Sequence, residues 1–290
     1  MNNYGSLIKK IRIEKGLSQK NVYSGIMTRQ TYYLIESNVS MPSFDKFLLI
    51  LEKLFLSVEE FLNLLDPEYF PAENQLYYEL SHAVFKKDKA YLETLKQLAD
   101  QRYQTTKNEK YYHLFLITQA MLQINFTNEE TPQNPSLQQL MSPIKNYLIG
   151  VDKWYLYELK LLNNSLYCFS PSEAIALGTL VTDKIDPLNQ IETLQDTKLR
   201  IYLNLSSLCL NYKDYQHAMD FSKLAIANAQ SDYRLFEMLI ARLNHAIAHS
   251  ADTSKQLTPE IAKYLDILET LDYCKIVEDY QSILQSNQIN

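Results

Sequence analysis

Only five glycines, at positions 5, 16, 25, 150 and 178, interrupt a chain of 290 residues. Folds made of many short strands need tight turns with positive φ. So few glycines, set among long runs patterned in Leu, Ile and Tyr, therefore predict an all-α chain. None of the five is spaced as G-x-G-x-x-G or G-x-x-x-x-G-K, which removes the glycine loops that cradle phosphates in the corresponding nucleotide enzymes. With 46% hydrophobic and 21% charged residues the chain can bury a sizeable core, and its length suggests two structural units.

Five short helices are predicted at the N-terminus. Leu7, Ile8 and Ile11 fall at helical spacing before Gly16, where a left-handed residue ends a helix. Ser18 is placed to cap a second helix with Val22 and Ile26 inward. Thr28 caps a third, with Tyr32 and Ile35 inward and Arg29, Gln30, Tyr33 and Leu34 outward. Ser43 opens a fourth whose apolar face reads as Phe44, Phe47, Leu48, Leu51 and Leu54, and Ser57 with Glu60 forms a capping box for a fifth. Short helices meeting at a tight turn predict a helix-turn-helix within residues 1–66.

Charge supports that reading. Residues 1–35 carry six Lys/Arg against one acid, a balance of +5, whereas residues 67–290 hold 20 Lys/Arg against 27 Asp/Glu, a balance of −7. A short basic segment on an acidic body is the charge plan of a nucleic-acid reader whose other unit avoids the polyanion.

The stretch LSQKNVYSGIMTRQTYYLIESN, followed by MPSFDKFLLILEKLFLSVEEFL, resembles the phage-repressor-like (XRE) helix-turn-helix family across residues 4–66, although residues 19–28 are one residue shorter than in its commonest members. The resemblance implies that Gln19 holds the phosphate backbone or an edge base while Arg29, Gln30 and Tyr33 face the major groove. Arg bonds bidentately to guanine and Gln to adenine, and the first turn of a recognition helix is where base edges are reached. Arg12 and Glu36 resemble the family's ion pair between the first and third helices. One such unit covers one half-site, so a homodimer on a palindrome is expected.

Pro67 and Pro71 mark a linker to a body at 67–290, in which Asn108, Ser136, Asp152, Ser172 and Pro259 read as helix starts and 127–135 as a polar loop. Asn163, Asn204 and Asn244, each after a Leu, recur at separations of 41 and 40 residues, and Ala174, Ala218 and Ala262 at 44 and 44. An Asn-bearing helix followed by an Ala-bearing helix describes a TPR-like solenoid of stacked helix pairs, with Ala at the close crossings. Such solenoids suit an extended peptide, and Asn amides satisfy peptide backbone without demanding a side chain, unless they tie neighbouring helices together instead. Asn163, Asn204 and Asn244, with Arg200 and Arg242 as candidate carboxylate partners, are therefore the expected peptide-binding residues.

Residues 151–166, read as one helix carrying Asp152, Trp154, Tyr157, Glu158, Leu159, Asn163 and Asn164, resemble the signature helix of the Rgg (Rgg/GadR/MutR) regulators. The resemblance implies a homodimeric cytoplasmic transcription regulator of Gram-positive bacteria that senses a short hydrophobic signalling peptide, a quorum-sensing function. Trp154 and Glu158 read as packing residues. Some relatives cross-link the dimer through a cysteine in the DNA-binding domain, and residues 1–66 contain none.

Competing chemistry is thinly supported. His245 and His249 share a helix face but lack the Glu and third ligand of a zinc site, no Ser lies in G-x-S-x-G, and Cys168, Cys209 and Cys274 form no C-x-x-C. No catalytic residue, metal or cofactor is expected. Neither a signal peptide nor an 18-residue apolar run occurs, so a soluble cytoplasmic protein is expected. The alternative is a peptide-independent XRE-type repressor or antitoxin whose helical body serves protein–protein interaction only.

Overall fold

The computed structural model describes residues 3–65, 72–126, 134–186, 191–230 and 234–289. Among them it holds 16 α-helices and no strand. The chain divides into two compact units, Met1–Glu79 and Leu80–Asn290. The expected linker prolines Pro67 and Pro71, and the expected loop at 127–135 apart from its last two residues, lie outside the described residues.

The first unit contains α1 (Tyr4–Glu14), α2 (Gln19–Tyr23), α3 (Arg29–Glu36), α4 (Phe44–Lys53) and α5 (Val58–Leu65). Its core is Ile8, Ile11, Val22, Tyr32, Ile35, Ile50, Leu51, Leu54 and Phe61. The punctuation follows the sequence. Ser18 Oγ accepts from the Asn21 amide, Thr28 Oγ1 accepts from the Thr31 amide, and Ser57 and Glu60 exchange bonds of 2.8 and 3.0 Å. Gly16 and Gly25 take φ of +67° and +82°, so each closes a helix where a Cβ would be strained. A Cβ on Gly5 would lie 1.7 Å from the Ile35 carbonyl oxygen, which is how closely α1 crosses α3.

The face of α4 departs from expectation. Phe44 is 72% exposed and Leu48 is also exposed, while the unpredicted Ile50 is fully buried. Ser43 sits at the N-cap position without bonding an α4 amide; its hydroxyl instead serves the Asp45 carboxylate.

Helix α6 (Ala72–Phe85) contains the boundary between the units, and the second unit continues with α7 (Lys89–Thr106), α8 (Glu109–Phe126), α9 (Pro135–Gly150), α10 (Leu156–Ser165) and α11 (Pro171–Lys184). Then come α12 (Glu192–Asn211), α13 (Tyr215–Asn228), α14 (Leu235–Asp252), α15 (Pro259–Thr270) and α16 (Cys274–Ser286). Helix α12 is the axle of this unit, packed against α10, α11, α13, α14 and α16. The Asn-bearing helices α10, α12 and α14 are successive neighbours, as a stack of helix pairs requires. Ala174 and Ala218 are fully buried, but Ala262 is exposed and Ile261 takes the inward position, so the repeat slips by one residue in its last copy. A close crossing is made at Gly178, where a Cβ would come within 2.3 Å of the Leu205 side chain. Pro143 sits inside α9 and cannot donate to the Gln139 carbonyl; the Ser142 hydroxyl does so instead, at 2.9 Å.

Four of the expected helix starts fall within one residue of observed ones, and Asp152 does not. Residues 151–155 are not helical. The Trp154 amide donates to the Lys184 carbonyl at 2.9 Å, its indole donates to the Leu148 carbonyl at 3.0 Å, and Lys184 Nζ donates to the carbonyl of Ile149 at 2.8 Å and to that of Val151. These long-range bonds take up groups that a helix would pair internally, so α10 begins only at Leu156, where Glu158 accepts from the Tyr155 amide at 2.9 Å.

Candidate functional site

In the first unit, the residues singled out on α3 share one exposed surface. Arg29 and Gln30 occupy its first turn and Tyr33, 59% exposed, the second, while Tyr32 and Ile35 anchor the opposite face in the core. Gln19 is half-buried at the start of α2, and its Nε2 donates to Glu36 Oε2 at 2.7 Å.

That same carboxylate receives Arg12 Nε at 2.5 Å and Arg12 Nη2 at 3.1 Å, and Arg12 Nη1 reaches the Leu17 carbonyl at 2.8 Å. Burial alone would push the Glu36 carboxyl up. The hydrogen bonds from Arg12 and Gln19 outweigh it and hold the group below its ordinary value, while the bond to Glu36 raises Arg12. Lys9, Lys10, Lys15 and Lys20 are exposed around this unit. The arrangement is a basic surface carrying a bidentate donor, an amide and an aromatic over two successive turns of one helix.

The second unit contains a cleft of about 320 Å³ lined by Leu80, Ser81, Val84 and Phe85 of α6, Met121 of α8, Asn163 and Asn164 of α10, Tyr167 just beyond it, and Asn204 of α12. Asn204 Nδ2 donates to Asn163 Oδ1 at 3.0 Å, which fixes the two amides side by side. Asn164 Nδ2 is taken by the Lys160 carbonyl at 2.7 Å.

Of the expected peptide-binding residues, only Asn163 and Asn204 come together here. Asn244 is corrected to an interior tie. It is 0% exposed, donates to Ser206 Oγ at 2.6 Å and Ser207 Oγ at 3.0 Å, and accepts from the Tyr280 hydroxyl at 2.6 Å. Helix α16 covers this last rung, which the 40-residue spacing could not reveal. Arg242 lies two residues before Asn244 and so projects from the far side of α14, where it bonds the Tyr264 hydroxyl of α15. Arg200 is exposed one turn before Asn204 and is not part of the lining. The α6 residues, Met121 and Tyr167 were missed. They lie outside the Leu-Asn repeat, and a self-comparison registers only what recurs.

Trp154 and Glu158 are interior: Trp154 is 1% exposed, and Glu158 accepts from the Tyr147 hydroxyl at 2.7 Å. His245 Nδ1 lies 3.0 Å from Ser222 Oγ, and among the described residues no group of three or more His, Cys, Asp or Glu gathers that could hold a metal. No helix among the described residues is long and apolar enough to cross a membrane.

Residues 95–282 match the family model of the C-terminal domain of the HTH-type transcriptional regulator Rgg, and residues 8–61 match a helix-turn-helix model. Among solved structures, the chain is similar to a transcriptional regulator from Listeria monocytogenes EGD-e, at 18% identity and a TM-score of 0.81 over 99% of this chain and 97% of that one. It is also similar to the SHP pheromone receptor Rgg2 of Streptococcus dysgalactiae, at 15% identity and a TM-score of 0.76 over 98% and 99% of the two chains. A third similarity is to PrgX in complex with cCF10, at 14% identity and a TM-score of 0.74 over 100% of this chain and 94% of that one. At these identities the likeness is one of fold.

Proposed function

The chain belongs to the Rgg family of helix-turn-helix transcriptional regulators, and on that premise we propose that it is a cytoplasmic, homodimeric regulator whose DNA binding responds to a short, mainly apolar signalling peptide. The observation that carries the peptide reading is the Asn163–Asn204 amide pair set in a cleft with Leu80, Val84, Phe85 and Met121. A concave site that is mostly apolar, with a few fixed polar groups, is the usual form of a small-ligand site. Two of the similar structures point the same way, since one is described as a pheromone receptor and the other as a complex with cCF10.

In this reading the first unit supplies Arg29, Gln30 and Tyr33 to base edges and Gln19 to the backbone, and two copies span a palindrome about one DNA turn across. Arg200 guides the peptide from outside the cleft. The deciding experiment is a footprint on the DNA flanking the protein's own coding region, with and without candidate short apolar peptides. A protected palindrome whose occupancy changes with one peptide supports the reading. Occupancy indifferent to every peptide would instead favour a peptide-independent repressor.

A further inference from the structure

Among the described residues, the cleft at Asn163 and Asn204 has no acidic or basic side chain in its lining. Resting on the peptide-receptor reading above, we propose that it grips an uncharged, apolar stretch of about two or three residues from the peptide's interior, and that both charged ends of the peptide stay outside.

Size sets the first limit. At about 320 Å³ the cleft lies near the bottom of the range for small-molecule sites, roughly 300–1,000 Å³, so it holds a few residues and not a whole signalling peptide.

Hydrogen-bond valence sets the second. A side-chain amide has two N–H donors and an oxygen with two lone pairs. Once Asn204 Nδ2 has donated to Asn163 Oδ1, the pair still presents Asn163 Nδ2 as donor and Asn204 Oδ1 as acceptor, neither with another partner among the described residues. A donor and an acceptor held side by side reproduce the edge of an antiparallel strand, where one residue of the neighbour exchanges both its N–H and its C=O. The pair therefore reads the backbone of a single peptide residue, and the α6 and α8 side chains take the apolar groups on either side of it.

Charge sets the third. A terminal carboxylate entering the cleft would meet the neutral Asn163 donor beside the acceptor oxygens of Asn204 and Asn164, and no cation among the described lining residues, since Arg200 is outside the lining and Arg242 faces α15. A terminal ammonium would find no anion among the described lining residues. Burying either charge unpaired is penalised far more than burying a neutral amide with its bonds made.

The test uses the full chain labelled with ¹³C at the methionine methyls. Met121, in the cleft, is assigned by Met121→Leu among the seven methionines of the chain. The probes are acetyl-Leu-Val-Leu amide, the same tripeptide with a free carboxylate, and the same with a free amine. The capped probe should move the Met121 resonance, and each charged probe should need at least about tenfold more to do so. Asn204→Asp, which keeps the side-chain size and replaces the donor by an anion, should shift the preference towards the free-amine probe.

A free-acid probe saturating at the same or lower concentration would overturn the proposal, as would movement of other methionines with Met121 unmoved. If no tripeptide acts on Met121 while longer apolar peptides still change DNA occupancy, the cleft assignment is lost and the peptide-receptor reading stands. If neither class of peptide acts, both are lost.

Discussion

Gln19 and Glu36, which belong to different helices, are joined by a 2.7 Å bond from Nε2 to Oε2, and the same carboxylate is the anchor for Arg12. One buried group thus locks α1 to α3 and sets the side chain that opens α2. The fold of the first unit and the surface proposed to face DNA share a single support.

Glu36→Gln should therefore do two things at once. The Glu36 side chain is 2% exposed and that of Arg12 10%, so removing the carboxylate leaves a buried guanidinium uncompensated, at a cost of about 3 kcal/mol to the first unit. DNA affinity should fall further than Gln19→Ala alone produces, because Arg12 also moves. Melting curves and gel shifts on the two variants separate the effects; an affinity of Gln19→Ala equal to the parent's would place Gln19 away from DNA.

The same pair predicts an acid sensitivity. The Glu36 carboxyl lies below its ordinary value of 4.5 when folded and returns to it when unfolded, so its stabilisation is complete above about 4.5 and is lost as pH falls through the lower, folded value. Melting temperature of the first unit should decline over that interval in the parent. In Glu36→Gln the decline should be shallower, and an unchanged slope would remove Glu36 from the account.

Gly5→Ala should destabilise the first unit by about 1–3 kcal/mol, because the added methyl meets the Ile35 carbonyl oxygen, a backbone atom that moves only if α1 and α3 separate. Gly150, the last residue of α9, has nothing within 4 Å of the same position. Gly150→Ala is the matched control and should leave melting unchanged or slightly raised.

Arg29→Ala should cost about 1–3 kcal/mol on the cognate site and relax specificity at one base pair if Arg29 reads a guanine. Affinity lost equally on all sequences, with a reduced salt slope, would make it a phosphate contact. Binding measured on the cognate site and on single-base variants decides.

The two asparagines one repeat apart should behave oppositely. Asn244→Ala removes the acceptor of the buried Tyr280 hydroxyl and the amide that ties α14 to Ser206 and Ser207 of α12, and should lower stability by about 1–3 kcal/mol. Asn204→Ala, at the half-buried cleft, should spare the melting temperature and weaken peptide binding several-fold. Calorimetry with a cognate peptide and thermal melts on both variants check this; a melting loss in Asn204→Ala would make it a tie like Asn244.

The helices themselves were legible because periodicity and caps are local: Ser18, Thr28, Gly16 and the Ser57–Glu60 box all act within one turn of where they stand. What lay beyond reach was which neighbour covers a face. Phe44 and Leu48 fit an apolar stripe as well as Ile50 does, and only the placement of the helices packed on α4, among them α2 and α5, selects among them. Trp154 fits a helix until the Lys184 carbonyl competes for its amide. In the cleft, Asn163 and Asn204 announced themselves by repetition, whereas the α6 side chains did not, because α6 precedes the first Leu-Asn repeat. Asn244 carried the same signal as Asn204 and differs only by the presence of α16.

That covering helix has a consequence in time. Asn244 and its partner Tyr280 are 36 residues apart, and at synthesis rates of about 5–20 residues per second the interval between their appearances is about two to seven seconds. During those seconds the amide oxygen of Asn244 waits without its donor while α1–α5 are already free of the ribosome. The N-terminal unit of each new chain is thus out before the last helix of the second unit has closed over Asn244.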